Sequence, residues 1–389
     1  MKLNHIYKSI ACGVLLAMTA TSCDLDYNPV DTYSDVTEGV NKTDEKPIFN
    51  SVQDVETSMV TLHKKFRDRQ EHWYVDKLLI GDAHSDNAYA GTTGAEVVPY
   101  ETNSIEGSNS VLKRDWDRFL GDIAVANRII GGCDQLKALS ESERGKYQSQ
   151  AKIFRAMVMF DMVRLWGNFP VITTVGGDIT EDNVEEMYPT YFPPQNTAEE
   201  AYAQIEKDLT EAVENPNTPT NDTSDKSILT KSVARAMLAK VYAEKPLRDY
   251  AKVIKYADEL AADGFDLVED FSDLWAYDTE KKDCRVRNTK EAILEAHFPP
   301  GSGNWCTWMF GRNLSNWDES FTWAKWITPS RDLIRLYEEQ GDTKRYNESV
   351  VWYDCGWSNY YPADHYAFMY KCRSPFNSII YLRYADIMI

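Results

Sequence analysis

Positive charge is scarce in this sequence. Its 42 Lys and Arg stand against 61 Asp and Glu, a formal net charge of −19. Nucleic acid and anionic lipid surfaces repel such a chain, which excludes a nucleic-acid-binding role and leaves uncharged ligands, cations or basic proteins as partners. Long apolar runs are missing too: after the first 23 residues no stretch is apolar enough to span a bilayer. There is no C-x-x-C. Five cysteines follow Cys23 (Cys133, Cys284, Cys306, Cys355 and Cys372), an odd number whose spacing is neither a zinc pattern nor a dense disulfide framework. One or two disulfides remain open for an exported protein, with no pairing assigned. H-E-x-x-H, G-x-S-x-G and the phosphate-cradling G-x-x-x-x-G-K are all absent. The sequence therefore offers no catalytic residue, no metal site and no cofactor.

What is present begins with an address. Lys2 and Lys8 give a positive start, an apolar run of 11 residues spans 10–20, and Ala20, Thr21 and Ser22 lead into Cys23. Eleven residues are too few for a membrane helix and fit a cleaved export signal over 1–22. A Cys directly after small residues is the pattern of a lipoprotein processing site, here with Ala20 in the place usually held by Leu. Acylation of Cys23 would anchor the chain durably in lipid, each buried methylene contributing about 0.8 kcal/mol. Cleavage removes Lys2 and Lys8 and no acid, taking the net charge from −19 to −21.

Residues 23–50 read as an acylated, polar tether. Ser51 then caps a helix with Val52, Val55, Met59, Leu62 and Phe66 on one face. Residues 81–109 lack periodicity and read as a long loop, of the kind that tends to be functional. A helix carrying Leu112, Trp116, Phe119, Leu120 and Ile123 follows, with Gly131-Gly132 as its stop. Ser140 and Glu143 form a capping box. The helix behind it is apolar nearly all round and so buried, which obliges Arg155, Asp161 and Arg164 to find partners. Thr197 and Glu200 make a second capping box. Residues 230–264 read as two helices and a turn of tetratricopeptide length, and several such pairs in a row predict stacked repeats. Residues 291–298 read as a short strand, and Thr328-Pro329 as the start of another helix, with Leu333, Ile334, Leu336 and Tyr337 inward and Gly341 closing it. The expected class is all-α: superhelical tetratricopeptide-like helix pairs over 51–264, then a loop-rich ligand region over 265–389 with a few short strands.

Several segments, taken in order, resemble the SusD/RagB family of nutrient-binding outer-membrane lipoproteins. They are Cys23-Asp24-Leu25-Asp26, residues 151–171 (AKIFRAMVMFDMVRLWGNFPV), 197–214 (TAEEAYAQIEKDLTEAVE), 229–242 (LTKSVARAMLAKVY), 291–298 (EAILEAHF), 329–346 (PSRDLIRLYEEQGDTKRY) and 381–389 (YLRYADIMI). The resemblance implies a tetratricopeptide-like superhelix, a glycan or other nutrient as ligand, no catalysis, and a SusC-type TonB-dependent transporter as partner at the outer membrane. Family members continue past the point where residues 383–389 open a helix, so the chain reads as incomplete at its C-terminus.

Sugars are held by stacking of C–H faces on aromatic rings and by hydrogen bonds from planar polar groups. Aromatics make up 12% of the chain, including 11 Trp and 23 Tyr, enough to leave some for function although any single ring is more often core. Two non-periodic segments carry the right mixture, and the ligand residues expected are Asp82, Asn87 and Tyr89 from the first and Trp305, Trp308 and Trp317 from the second. Asp82-x-His84-x-Asp86 lacks a full calcium-loop pattern and is read as a polar loop. His63 and His72 read as surface or core-edge residues. The alternatives are a protein–protein scaffold without a glycan, or a glycoside hydrolase with two facing carboxylates.

Overall fold

The computed structural model describes residues 47–389 apart from 69–70, 92–94, 178, 180–182, 245, 279, 282, 299–326, 355–358 and 372–377. The export signal, Cys23 and most of the tether lie outside the described residues, as do Trp305, Trp308 and Trp317.

The chain is mostly helical. Helix α1 (Val52–Asp68) starts where Ser51 Oγ accepts from Asp54 N and the Asp54 carboxylate accepts from Ser51 N in return. Its apolar face buries Val55, Met59 and Leu62. A segment of wider turns follows, π-helical over Glu71–Val75 and again over Leu79–Ala83, with one α-turn between. Helix α2 (Ser110–Gln135) is capped by Asn109, whose Oδ1 accepts from Val111 N and Leu112 N. Helix α3 (Glu141–Trp166) opens on the Ser140/Glu143 capping box, and α5 (Ala198–Glu214) on the Thr197/Glu200 box; between them lies the short α4 (Val184–Tyr191). Helices α6 (Lys231–Ala243) and α7 (Tyr250–Ala262) form the tetratricopeptide-length pair. Packing follows chain order: α2 on α3, α3 on α5, α5 on α6 and α6 on α7.

Helix α3 is the spine. Residues 153–160 are all buried, and Arg155 is paired as burial requires; Asp161 is only partly buried and Arg164, against expectation, is exposed. Arg155 makes a two-pronged bond to Asp208 at 2.7 and 2.8 Å and donates to Asn127 Oδ1 at 2.7 Å. Asp161 pairs with Lys77, and Arg164 with Glu244 at 3.0 Å.

The second half adds short strands. β2 (Ala292–Ala296) is buried throughout and pairs antiparallel with β6 (Ile379–Arg383), after which α10 (Tyr384–Met388) packs on α6 and α7. β1 (Ala88–Ala90) pairs with β3 (Ile327–Pro329) in the register Ala88–Pro329, Tyr89–Thr328 and Ala90–Ile327. Helices α8 (Arg331–Gln340) and α9 (Thr343–Ser349) lead to the hairpin of β4 (Val350–Tyr353) and β5 (Tyr366–Met369).

Five local expectations are corrected. Gly131-Gly132 does not stop α2. The helix runs through both glycines, and a Cβ on Gly132 would overlap the Phe49 ring, so the glycine serves close approach instead. Thr328-Pro329 lies in a strand rather than opening a helix. The cap is Ser330, whose Oγ accepts from Leu333 N, and Pro329 sits at the end of a two-stranded ladder where its missing N–H is tolerated. Leu336 points to solvent at 43% exposure, since Ile334 alone of that face is fully covered. Residues 81–109 are not one loop: they hold the end of the π-helical segment, β1 and a turn of helix over Val98–Glu101. His72 is a core residue at 1% exposure, with Nε2 2.8 Å from Asp122 Oδ2. Gly341 does close α8, in the left-handed conformation at φ 64°.

Candidate functional site

The site grows from a rigid anchor. Trp73 is fully buried, packs on Phe154 with centroids 5.4 Å apart, and donates Nε1–H to Asp122 Oδ2 at 2.9 Å. Asp122 also takes His72 and Lys65 (3.1 Å). The Glu71–Ala83 segment is thereby fixed to α1, α2 and α3, and its last turn delivers Asp82 to the surface. Burial raises the Asp82 carboxyl above the usual carboxylate range, and Asn87 Nδ2 lies 3.4 Å from Asp82 Oδ1. His84 turns away from Asp82 to Asn103 Oδ1. Asp86 is exposed and binds through its backbone carbonyl, which accepts from Ser330 Oγ.

From here the early and late parts of the chain are stitched together. Ser330 N donates to Asn87 O at 3.0 Å, and Arg331 N to Tyr89 Oη at 3.2 Å. Together with the β1–β3 ladder, these bonds place Tyr89 against residues 360–361. The Tyr89 and Tyr360 rings stack with centroids 4.5 Å apart and planes 11° from parallel. Tyr361 tilts against Tyr89 at 6.5 Å, and the Arg331 guanidinium lies 4.7 Å over the Tyr361 ring. Trp352 meets Tyr361 edge-on at 5.2 Å and stacks on His365 at 4.2 Å. The result is a run of rings, Tyr360, Tyr89, Tyr361, Trp352 and His365. Tyr361 is buried, Tyr89, Tyr360 and Trp352 are half-buried, and His365 is exposed.

Each ring's polar tip is tied. Tyr360 Oη donates to Glu101 Oε2 at 2.7 Å, and the same oxygen accepts from Ala90 N at 2.7 Å. Tyr361 Oη donates to Pro329 O at 2.9 Å, and Trp352 Nε1 to Tyr346 Oη at 2.8 Å. Burial, then the neighbouring Glu101 carboxylate, pushes the Tyr360 hydroxyl well above its ordinary range, and burial does the same for Tyr361, so both remain neutral donors. Glu101 acts as a strut rather than a free base. A fixed array of half-open rings beside Asp82 and Asn87 can stack an apolar sugar face and offer hydrogen bonds to hydroxyls.

Of the expected ligand residues, Asp82 and Asn87 are in contact, and Tyr89 follows two residues on in β1. Tyr360, Tyr361, Trp352 and Arg331 were not foreseen. The signal for the three rings was the aromatic density of residues 352–370, which is at least as high as that of the tryptophan-rich stretch; nothing marked Arg331.

Comparison with known proteins agrees with this architecture. Residues 33–243 match a SusD-like family described as starch-binding and associating with the outer membrane. A SusD-like protein of Bacteroides ovatus is 25% identical over 309 residues, covering 76% of this chain and 50% of the relative. The chain thus spans about half the length of the curated relative it matches. Among solved structures, a laminarin-binding SusD-like protein superposes with a TM-score of 0.64 at 18% identity, over 87% of this chain and 79% of that one. A surface glycan-binding protein A from Bacteroides fluxus gives 0.66 at 19%, over 87% and 75%. At such identities the likeness is one of fold.

Proposed function

This chain belongs to the SusD-like family, and we propose that it is a glycan-binding lipoprotein of the cell surface that captures its ligand without transforming it. The observation that carries the reading is the Tyr89–Tyr360 stack. Two half-open rings from distant parts of the chain are locked by backbone and carboxylate bonds, as a preorganised sugar platform requires. Acylation of Cys23, followed by Asp24 and Asp26, would hold the protein at the outer membrane. Its ligand would pass to a TonB-dependent transporter of the SusC type. That the family is described as starch-binding, and its structural relatives as binding laminarin and surface glycan, supports the ligand class.

Affinity electrophoresis of the full chain through gels containing starch, laminarin and other neutral polysaccharides tests this. At least one polysaccharide should retard the protein, and Tyr89→Ala should abolish the retardation. Unhindered migration through every gel would overturn the reading. Release of new reducing ends from a retained polysaccharide would replace it with a hydrolase.

A further inference from the structure

Away from the tyrosine platform, and sharing no residue with it, a pocket of about 570 Å3 lies between α1, the segment leading into α6, and β2. That volume is in the range of small-molecule sites. Its lining differs in kind from the platform: among the described residues Val60 and Ala296 are the apolar members, no tyrosine or tryptophan lines it, and the rest is charged or polar. Stacking on a neutral sugar face is not what this pocket offers.

Its polar groups are arranged by depth. Glu295, in the buried strand β2, has a side chain only 2% exposed, and its Oε2 stands 3.4 Å from His297 Nε2. That nitrogen is itself buried without a hydrogen-bond partner. The two groups are near enough to pair but not aligned to hydrogen bond, and a ligand hydroxyl between them would satisfy the imidazole nitrogen. His63 adds a second imidazole, held neutral by burial. Arg287 forms a rigid wall, bound to Asp283 Oδ1 at 2.7 Å, Ser378 Oγ at 2.8 Å and the Phe298 carbonyl at 2.9 Å. At the mouth stand two cations of α1. Among the described residues Lys64 is exposed and makes no ion pair, and Arg67, one-third exposed, pairs only with its neighbour Asp68, itself half in solvent.

A ligand for this pocket must donate hydroxyl hydrogens to an acceptor at the floor and present negative charge at the rim. A neutral sugar leaves Lys64 and Arg67 unused, and a bare phosphate would press its charge against Glu295. We propose that the pocket binds a small polyhydroxylated acid, of the class of the hexuronic acids, with its carboxylate on Lys64 and Arg67 and its hydroxyls on Glu295 and His297.

The test is an NMR titration of the full chain, following imidazole Cε1–H signals while D-glucuronate, D-glucose or inorganic phosphate is added. Glucuronate should shift His63 and His297 along a saturable curve, with glucose and phosphate at least tenfold weaker. Lys64→Met, at an exposed position, should weaken the response at least tenfold, as should Glu295→Gln. Tyr89→Ala should leave it unchanged, which separates this site from the platform. A flat titration, an equal response to glucose or phosphate, or an unaltered Lys64→Met response would overturn the proposal.

Discussion

Arg155 in the helical frame is 4% exposed and spends its guanidinium on Asp208, Asn127 and a backbone carbonyl, while Tyr360 on the late face stays half-buried, stacked on Tyr89 with its hydroxyl tied to Glu101. Both residues are held firmly. Around Arg155 the frame holds its polar groups by enclosing them. The rings are held at their polar tips, by Glu101, Pro329 and Tyr346, and Tyr89, Tyr360 and Trp352 stay half-buried. Rigidity thus has two sources here: at Arg155 it is spent inward, and at the rings it leaves a partly exposed surface. Substitutions should separate them: changes in the frame should move stability and leave intrinsic affinity alone, and changes on the face should do the reverse.

The largest effect is expected from Arg155→Met. Asp208, 1% exposed, would keep only Gln204 Nε2 at 2.9 Å as a donor. Breaking a buried pair from one side costs about 3–5 kcal/mol, because the remaining charge is left desolvated. Urea unfolding should show that loss, and Arg155→Met combined with Asp208→Leu should recover most of it. A double variant no better than the single one would show that the arginine acts through something other than this pair.

A second buried acidic site adds a pH dependence to the frame. Burial, reinforced by the adjacent Asp76 carboxylate, raises the Asp115 carboxyl to about 9. As two carboxylates the pair would be acceptor-only, and both Asp115 oxygens and Asp76 Oδ1 lack a donor; one proton on Asp115 supplies it. Because the folded-state value lies above the unfolded one, the folded chain holds the extra proton between about pH 4 and pH 9. The stability that proton brings is complete below the unfolded value and declines as pH rises towards 9, by up to about 1.4 kcal/mol per pH unit. Asp115→Asn carries a permanent donor. It should match the wild type below about pH 4, exceed it in urea unfolding at pH 8, and flatten the slope between. Parallel pH profiles for the two proteins would contradict the shared proton.

How much of each region could be read beforehand follows from the same contrast. The frame was legible because its determinants are local. The Ser140/Glu143 and Thr197/Glu200 boxes lie within four residues, and helix α3 announces its burial through an unbroken apolar composition. Even the need of Arg155 for a partner was evident, though not that the partner would be Asp208. The face was legible only on its early side. Asp82, Asn87 and Tyr89 stood out as polar and aromatic residues in a non-periodic stretch, whereas Tyr360 and Tyr361 acquire their role from a β1–β3 pairing between residues more than two hundred positions apart. Local patterns also misled where spacing had two meanings. Gly131-Gly132 looked like a helix stop but makes room for Phe49, and Pro329 looked like a helix start but ends a strand.

The smallest expected effect bears most directly on function. Tyr360→Ala removes one half-buried ring and its bond to Glu101; Tyr360→Phe removes only the bond. If the platform binds by stacking, the alanine variant should weaken affinity for a retained polysaccharide about tenfold, near 1.4 kcal/mol, while the phenylalanine variant stays within two- to threefold, roughly 0.5 kcal/mol. Unfolding of both should fall well short of the Arg155→Met loss, since neither exposes a buried charge. Equal weakening by Ala and Phe would locate the contribution in the Glu101 brace, so that ring position rather than ring surface governs binding. Unchanged affinity in Tyr360→Ala would remove the late half of the platform and leave Tyr89 to be explained by its packing alone.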